Sequence, residues 1–142
     1  MATINSTSPW NPMPQPGIGN VGSYLIAGDP FLSSSNITGN MPNGGELKIT
    51  FPRVTRSVTV VNHSAEPLYL HFETRANPTV LKHGYYVPLD QNGDAWAINC
   101  RCKEMYISMQ NSTGTGSFVL SAELTNISDT MMYVLTGAGI NA

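Results

Sequence analysis

The chain has 142 residues, a formal net charge of −2 and only 11% charged side chains, less than half of the roughly 25% usual for a soluble domain. Its seven cations, Lys48, Arg53, Arg56, Arg75, Lys82, Arg101 and Lys103, are scattered among nine acids, so no basic stripe is present to hold nucleic acid. No apolar run approaches the roughly 18 to 20 residues of a membrane span, and Met1–Ser6 has neither the basic nor the apolar region of a secretory leader, so synthesis in a cytoplasm is the expectation.

Residues 1 to 45 have a composition of their own. Pro9, Pro12, Pro14 and Pro16 are followed by Gly17, Gly19, Gly22, Gly28, Gly39, Gly44 and Gly45, with hardly a charge between them. Such a stretch cannot form a helix or a central strand, and Ser8–Pro16 favours an extended, polyproline-like path. It reads as an N-terminal arm. The segments around Tyr24, Leu25, Phe31 and Leu32 are apolar, so the arm packs on something, either its own sandwich, covering an edge strand, or another subunit. On the second reading Trp10, Tyr24, Leu25, Phe31 and Leu32 are the contact residues, with Trp10 and Phe31 as anchors.

From Glu46 the pattern changes to alternating strands separated by turn residues. Leu47, Ile49 and Phe51 alternate with Lys48 and Thr50 up to Pro52, and Val58–Val61 ends at Asn62. Leu68, Leu70 and Phe72 alternate with Tyr69, His71 and Glu73, which places His71 on an exposed face. Tyr85–Val87 leads into Asp90–Asp94, whose Asn92-Gly93 is a hairpin signal. Trp96, Ile98 and Cys100 share a face, as do Met105, Ile107 and Met109, and a long strand alternates Phe118, Leu120, Ala122 and Leu124 with polar residues. Strands at about ten-residue spacing predict an all-β fold, an antiparallel β-sandwich or jelly roll of about seven to eight strands. The domain spans 46–127, and 128–142 is a tail or an extra strand. Tyr69 and Tyr106 alternate with core positions and should point outward, as interface residues.

No set of residues suggests catalysis. His63, His71 and His83 have no spacing that selects a base with its orienter, and there is no nucleophile elbow and no carboxylate cluster. Cys100 and Cys102 read as small core fillers; a metal would need two further ligands that the sequence does not space around them. No cofactor is expected. Asn-x-Ser/Thr triplets at Asn5, Asn36, Asn62, Asn111 and Asn126 read as turn formers and neutral surface. Aromatic residues on a sandwich also suit carbohydrate binding, and a lectin-like role is the alternative function.

The layout of an arm, a small sandwich and a charge-poor surface, with the segments Arg56–Asn62, Lys103–Ser108 and Ala122–Ile127, resembles the capsid decoration (cement) proteins of tailed double-stranded DNA phages. The resemblance implies a structural virion protein on the outer capsid surface, with the major capsid protein as partner, a homotrimer as the assembled form and no enzymatic activity. Minor capsid and tail-fibre accessory proteins share these features.

Overall fold

The computed structural model describes residues 17–110 and 114–135. A short helix α1 (Val21–Leu25) precedes eight strands: β1 (Pro30–Thr38), β2 (Glu46–Thr50), β3 (Arg53–Asn62), β4 (Leu68–His71), β5 (Val87–Leu89), β6 (Ala95–Ile98), β7 (Glu104–Met109) and β8 (Thr115–Ser128). A tight turn with Asn43 and Gly44 at positive φ, α2 (Pro42–Gly45), and one helical turn, α3 (Thr79–Lys82), interrupt them. Two antiparallel four-stranded sheets result, ordered β1-β8-β3-β6 and β2-β7-β4-β5. Each strand pairs with the one equally far from the β4–β5 connection: β4 with β5, β3 with β6, β2 with β7 and β1 with β8. The pairings β3–β8 and β4–β7 then stitch these four ribbons into the two sheets.

The alternation seen in the sequence decides what faces inward, because successive side chains on a strand point to opposite faces. Val58 and Val60 of β3, Leu68 and Leu70 of β4, Met105, Ile107 and Met109 of β7 and Phe118, Leu120 and Leu124 of β8 form one buried cluster between the sheets. A second, smaller cluster of Val54, Ile127 and Met132 closes one end, with Ile18, Tyr24 and Leu135 packed against it. Between them β3 is irregular: its register with β8 shifts at Thr55 and again before Ser57. The extra residue lets Val54 and Thr55 both turn inward, as a β-bulge does.

The compositional boundary at residue 46 falls inside the sandwich. Pro30–Thr38 is a full strand of the first sheet, paired residue for residue with β8 from Pro30↔Glu123 to Thr38↔Thr115. Ile37 is wholly buried, and the Phe31 ring meets Phe51 edge-on at 5.2 Å. This part of the expected arm therefore packs on its own sandwich. Such an aromatic contact adds about 0.5–1.5 kcal/mol to the burial itself. At the other end, β8 runs to Ser128 and a 3-10 turn (Asp129–Met131) delivers Met132 to the second cluster.

Asn92-Gly93 does not make a hairpin. Gly93 has the positive φ of 93° expected there, but β5 and β6 lie in different sheets, so the turn crosses between them. Asn62 anchors it: its backbone receives the Gly93 N–H at 2.7 Å and donates to Asp94, while its buried side chain donates to the Leu89 and Glu66 carbonyls at 2.8 and 2.9 Å. An amide committed in this way is a structural hub, and in the folded chain it is closed to glycosylation.

Candidate functional site

The two outer faces of the sandwich differ in kind. On the second sheet, the register brings Glu46 beside Ser108 and Lys48 beside Tyr106, with Tyr69 and His71 next in line. The segment that follows β4 folds back over this face. Glu46 accepts hydrogen bonds from Thr74 Oγ1 and the Arg75 amide, both at 2.7 Å, the Arg75 guanidinium donates to the Met109 carbonyl at 2.7 Å, and Tyr86 lies over Tyr69 with ring centroids 4.0 Å apart.

This cover changes the setting of His71, which the alternation placed on an exposed face. It is only 1% exposed. Its Nδ1 lies 2.6 Å from the Glu73 carbonyl and its Nε2 2.8 Å from Ser108 Oγ. A carbonyl can only accept, so Nδ1 carries the proton and Nε2 accepts from the serine hydroxyl. Burial holds the imidazole below its ordinary pKa, against a smaller opposing effect of the Glu73 carbonyl. A serine hydrogen-bonded to a neutral histidine is the pairing of a nucleophile with its base. Here, however, Ser108 is wholly buried, so no substrate reaches the pair and its chemistry is confined to holding β4 against β7.

Tyr106 points outward as expected, stacked parallel to His71 at 5.9 Å. Partial burial raises its pKa, as it does that of Tyr69. Both tyrosines are half-buried by their own chain, which leaves neither as a free platform.

The first sheet has no such cover among the described residues. Its outer face is built from Leu32, Ser34 and Asn36 of β1, Ser117, Val119 and Ser121 of β8, Thr59 and Val61 of β3, and Ala95 and Ala97 of β6. None of these is charged. The Arg56–Glu123 pair, at 3.4 Å, marks one end of the face. Leu32 is 77% exposed and Val119 41%, so the face carries apolar side chains as well as small polar ones.

Around the bulge, the same end of the molecule carries an apolar rim. Asn20 caps α1 through its side chain, and Tyr24 turns inward, its hydroxyl donating to the Ile18 carbonyl at 2.6 Å. Leu25 is left 73% exposed, and Val21, Ile26, Met131, Tyr133 and Val134 are exposed as well. Gly28 lets this segment lie on β8, because a Cβ there would sit 1.8 Å from the Leu124 carbonyl oxygen. The Arg101 guanidinium donates to the Ile18 carbonyl at 3.2 Å, and the Tyr24 hydroxyl contributes most to raising its pKa.

An open cleft beside the rim is lined by Tyr24, Leu25, Arg56, Asn99, Cys100 and Arg101. The neighbouring Cys102 thiol lowers the Cys100 pKa, while Cys100 and burial raise that of Cys102, whose sulfur lies 3.3 Å from Thr55 Oγ1. Cys102 fills the core as expected, while Cys100 only borders it. Among the described residues no three His, Cys, Asp or Glu side chains converge on a metal-sized space.

Of the residues picked out in the sequence, Leu25 and Leu32 lie open, Tyr24 and Phe31 serve their own chain, and Trp10 lies outside the described residues. Sequence reasoning did not join Ile26, of the apolar Tyr24–Leu32 segment, with Met131 and Tyr133 of the tail into one rim. It also missed the uncharged face, whose signal is the absence of charge at outward positions on four separate strands. No known protein family, curated protein or solved structure matches the chain.

Proposed function

We propose that this chain is a structural protein of a virion, a decoration subunit that binds the outer shell and ties neighbouring capsomers together. The observation that carries the reading is the contrast between the two sheets: one is roofed and charged, the other, among the described residues, bare and uncharged. A bare face of Leu, Val, Ala, Ser and Thr can be buried against a partner without removing ions from water, the step that makes charged surfaces costly to cover. Multivalent attachment then makes each weak contact count.

The strand order supports the same reading. Four ribbons, β1 with β8 through β4 with β5, wrapped into two sheets favour a jelly-roll reading of the sandwich, an architecture used by viral capsid and lectin domains. The fold alone does not choose between these uses. Against the lectin alternative, Tyr69 is stacked on Tyr86 and Tyr106 on His71, so the sandwich offers a sugar few open rings.

The test is co-sedimentation with virions, and with empty shells that lack this chain. The wild-type protein is expected to pellet to saturation with the shells, and Val119→Lys combined with Leu25→Asp to lower that binding at least tenfold with unchanged folding. A wild-type protein that stays in the supernatant at every shell concentration would refute the assignment.

A further inference from the structure

We propose that β1 pairs with β1 of a second copy of this chain, antiparallel and centred on Ser34, joining two sandwiches edge to edge. The inference stands apart from the virion reading, since it concerns the isolated protein. Each sheet edge exposes unpaired N–H and C=O groups, and proteins usually blunt such edges. Three of the four edges here are blunted: β2 carries Glu46 and Lys48, β5 has three residues with Pro88 at its centre, and β6 has four residues. The fourth, β1, runs for nine residues with no charge and an unbroken register with β8.

The register shows which of its groups are free. In an antiparallel ladder, successive residues direct both backbone groups alternately to one neighbour and to the other. The Leu124 N–H donates to the Asp29 carbonyl at 3.0 Å, so the odd-numbered residues of β1 face β8. The even-numbered ones, Pro30, Leu32, Ser34, Asn36 and Thr38, face the open side. Two local contacts agree: the outward Thr38 carbonyl is taken by the Met41 N–H at 3.1 Å, and the outward Asn36 carbonyl receives a long bond from Ser35 Oγ at 3.3 Å.

This pattern is self-complementary in one register. With Ser34 opposite the partner's Ser34, Leu32 and the partner's Asn36 exchange both of their bonds, the rotatable Ser35 hydroxyl giving up its long contact with the Asn36 carbonyl. Pro30, which has no N–H, falls opposite the partner's Thr38, whose carbonyl is already occupied, while the free N–H of that threonine meets the free carbonyl of the proline. Sliding by two residues either way sets Pro30 or the occupied Thr38 carbonyl against a group that needs a partner. On the inner face the same register puts Phe31 beside the partner's Ile37, extending one core towards the other. No like charges meet across the axis.

Sedimentation equilibrium of the full chain is expected to show a monomer–dimer equilibrium, and hydrogen exchange to show the amides of Leu32, Ser34, Asn36 and Thr38 becoming protected as concentration rises. Ser34→Pro removes an N–H that β8 does not use, a substitution edge strands tolerate, and Ser34→Lys places two charges at the axis. Both should be monomeric, with thermal unfolding unchanged from that of the dilute wild-type protein. A chain that remains monomeric to high micromolar concentration, a trimer, or a dimer that survives both substitutions would overturn the proposal. Protection of the even-numbered amides that is independent of concentration and disappears when residues 1–16 are deleted would overturn it too, by assigning the edge to the chain's own N-terminal segment.

Discussion

At the scale of single residues, His71 is where burial and titration meet. The groups facing it are Glu46, Arg75 and Tyr106, and its imidazole is neutral in the fold because burial lowers its pKa from 6.5. In the unfolded chain the same ring takes up a proton near about pH 6.5. The folded form therefore binds fewer protons below that value, and the stability His71 confers is complete above it and lost as pH falls. The loss amounts to at most ~1.4 kcal/mol per pH unit until the folded ring itself protonates. Urea unfolding between about pH 7.5 and about pH 5.5 should show this slope. His71→Gln should flatten it while lowering stability at neutral pH; a slope unchanged in that variant would place the acid sensitivity on another group.

At the scale of elements, β1 decides what the minimal folding unit is. A chain beginning at Gly17 retains every described strand and is expected to unfold cooperatively, like the full protein. One beginning at Glu46 loses Ile37 and Phe31 from the core, about 1.5–3 kcal/mol for each side chain fully buried, and strips β8 of one neighbour. Since whole domains are stable by only about 5–15 kcal/mol, circular dichroism should find this shorter chain unfolded or aggregated. A soluble, cooperatively melting 46–142 fragment would show β1 to be dispensable. The strands that alternate Leu, Ile, Val and Phe with polar residues were legible in the sequence because one side of each faces the core. In β1 the inward positions between Phe31 and Ile37 are Ser33 and Ser35, half-buried at the sheet margin, so the alternation vanishes from the composition although the strand is present. The cover over His71 was invisible for another reason. Residues 73–86 have no period of their own and are held by particular hydrogen bonds from Thr74 and Arg75 and by the stacking of Tyr86 on Tyr69, which no pattern rule encodes. At the Asn-Gly turn, local chemistry fixed the backbone conformation but not which sheet each flanking strand joins. Leu25 and Leu32 could be named from the sequence as contact residues of an apolar segment, but the flat face around Leu32 exists only once four strands lie side by side.

At the scale of the whole molecule, stability comes from packing and hydrogen bonds. Among the described residues two ion pairs occur, Lys48–Glu104 at 2.9 Å, open to water on its lysine side, and Arg56–Glu123 at 3.4 Å, exposed on both, and pairs open to solvent contribute at most ~1 kcal/mol each. Raising sodium chloride from about 0.05 M to about 1 M should therefore change the free energy of unfolding by less than ~1 kcal/mol, and a larger change in urea titrations would reveal charge pairing outside the described residues. The nested strand pairing also has a consequence during synthesis. β4 and β5 leave the ribosome close together and can meet early, but β8, which lies between β1 and β3 in the first sheet, is the last of the eight strands to emerge. Until it does, β1 and β3 cannot be joined into that sheet, and an uncharged strand waits with both edges open. Slow translation between β3 and β8 would lengthen that exposure, so the protein's yield in a cell should depend on how quickly the second half of the message is read.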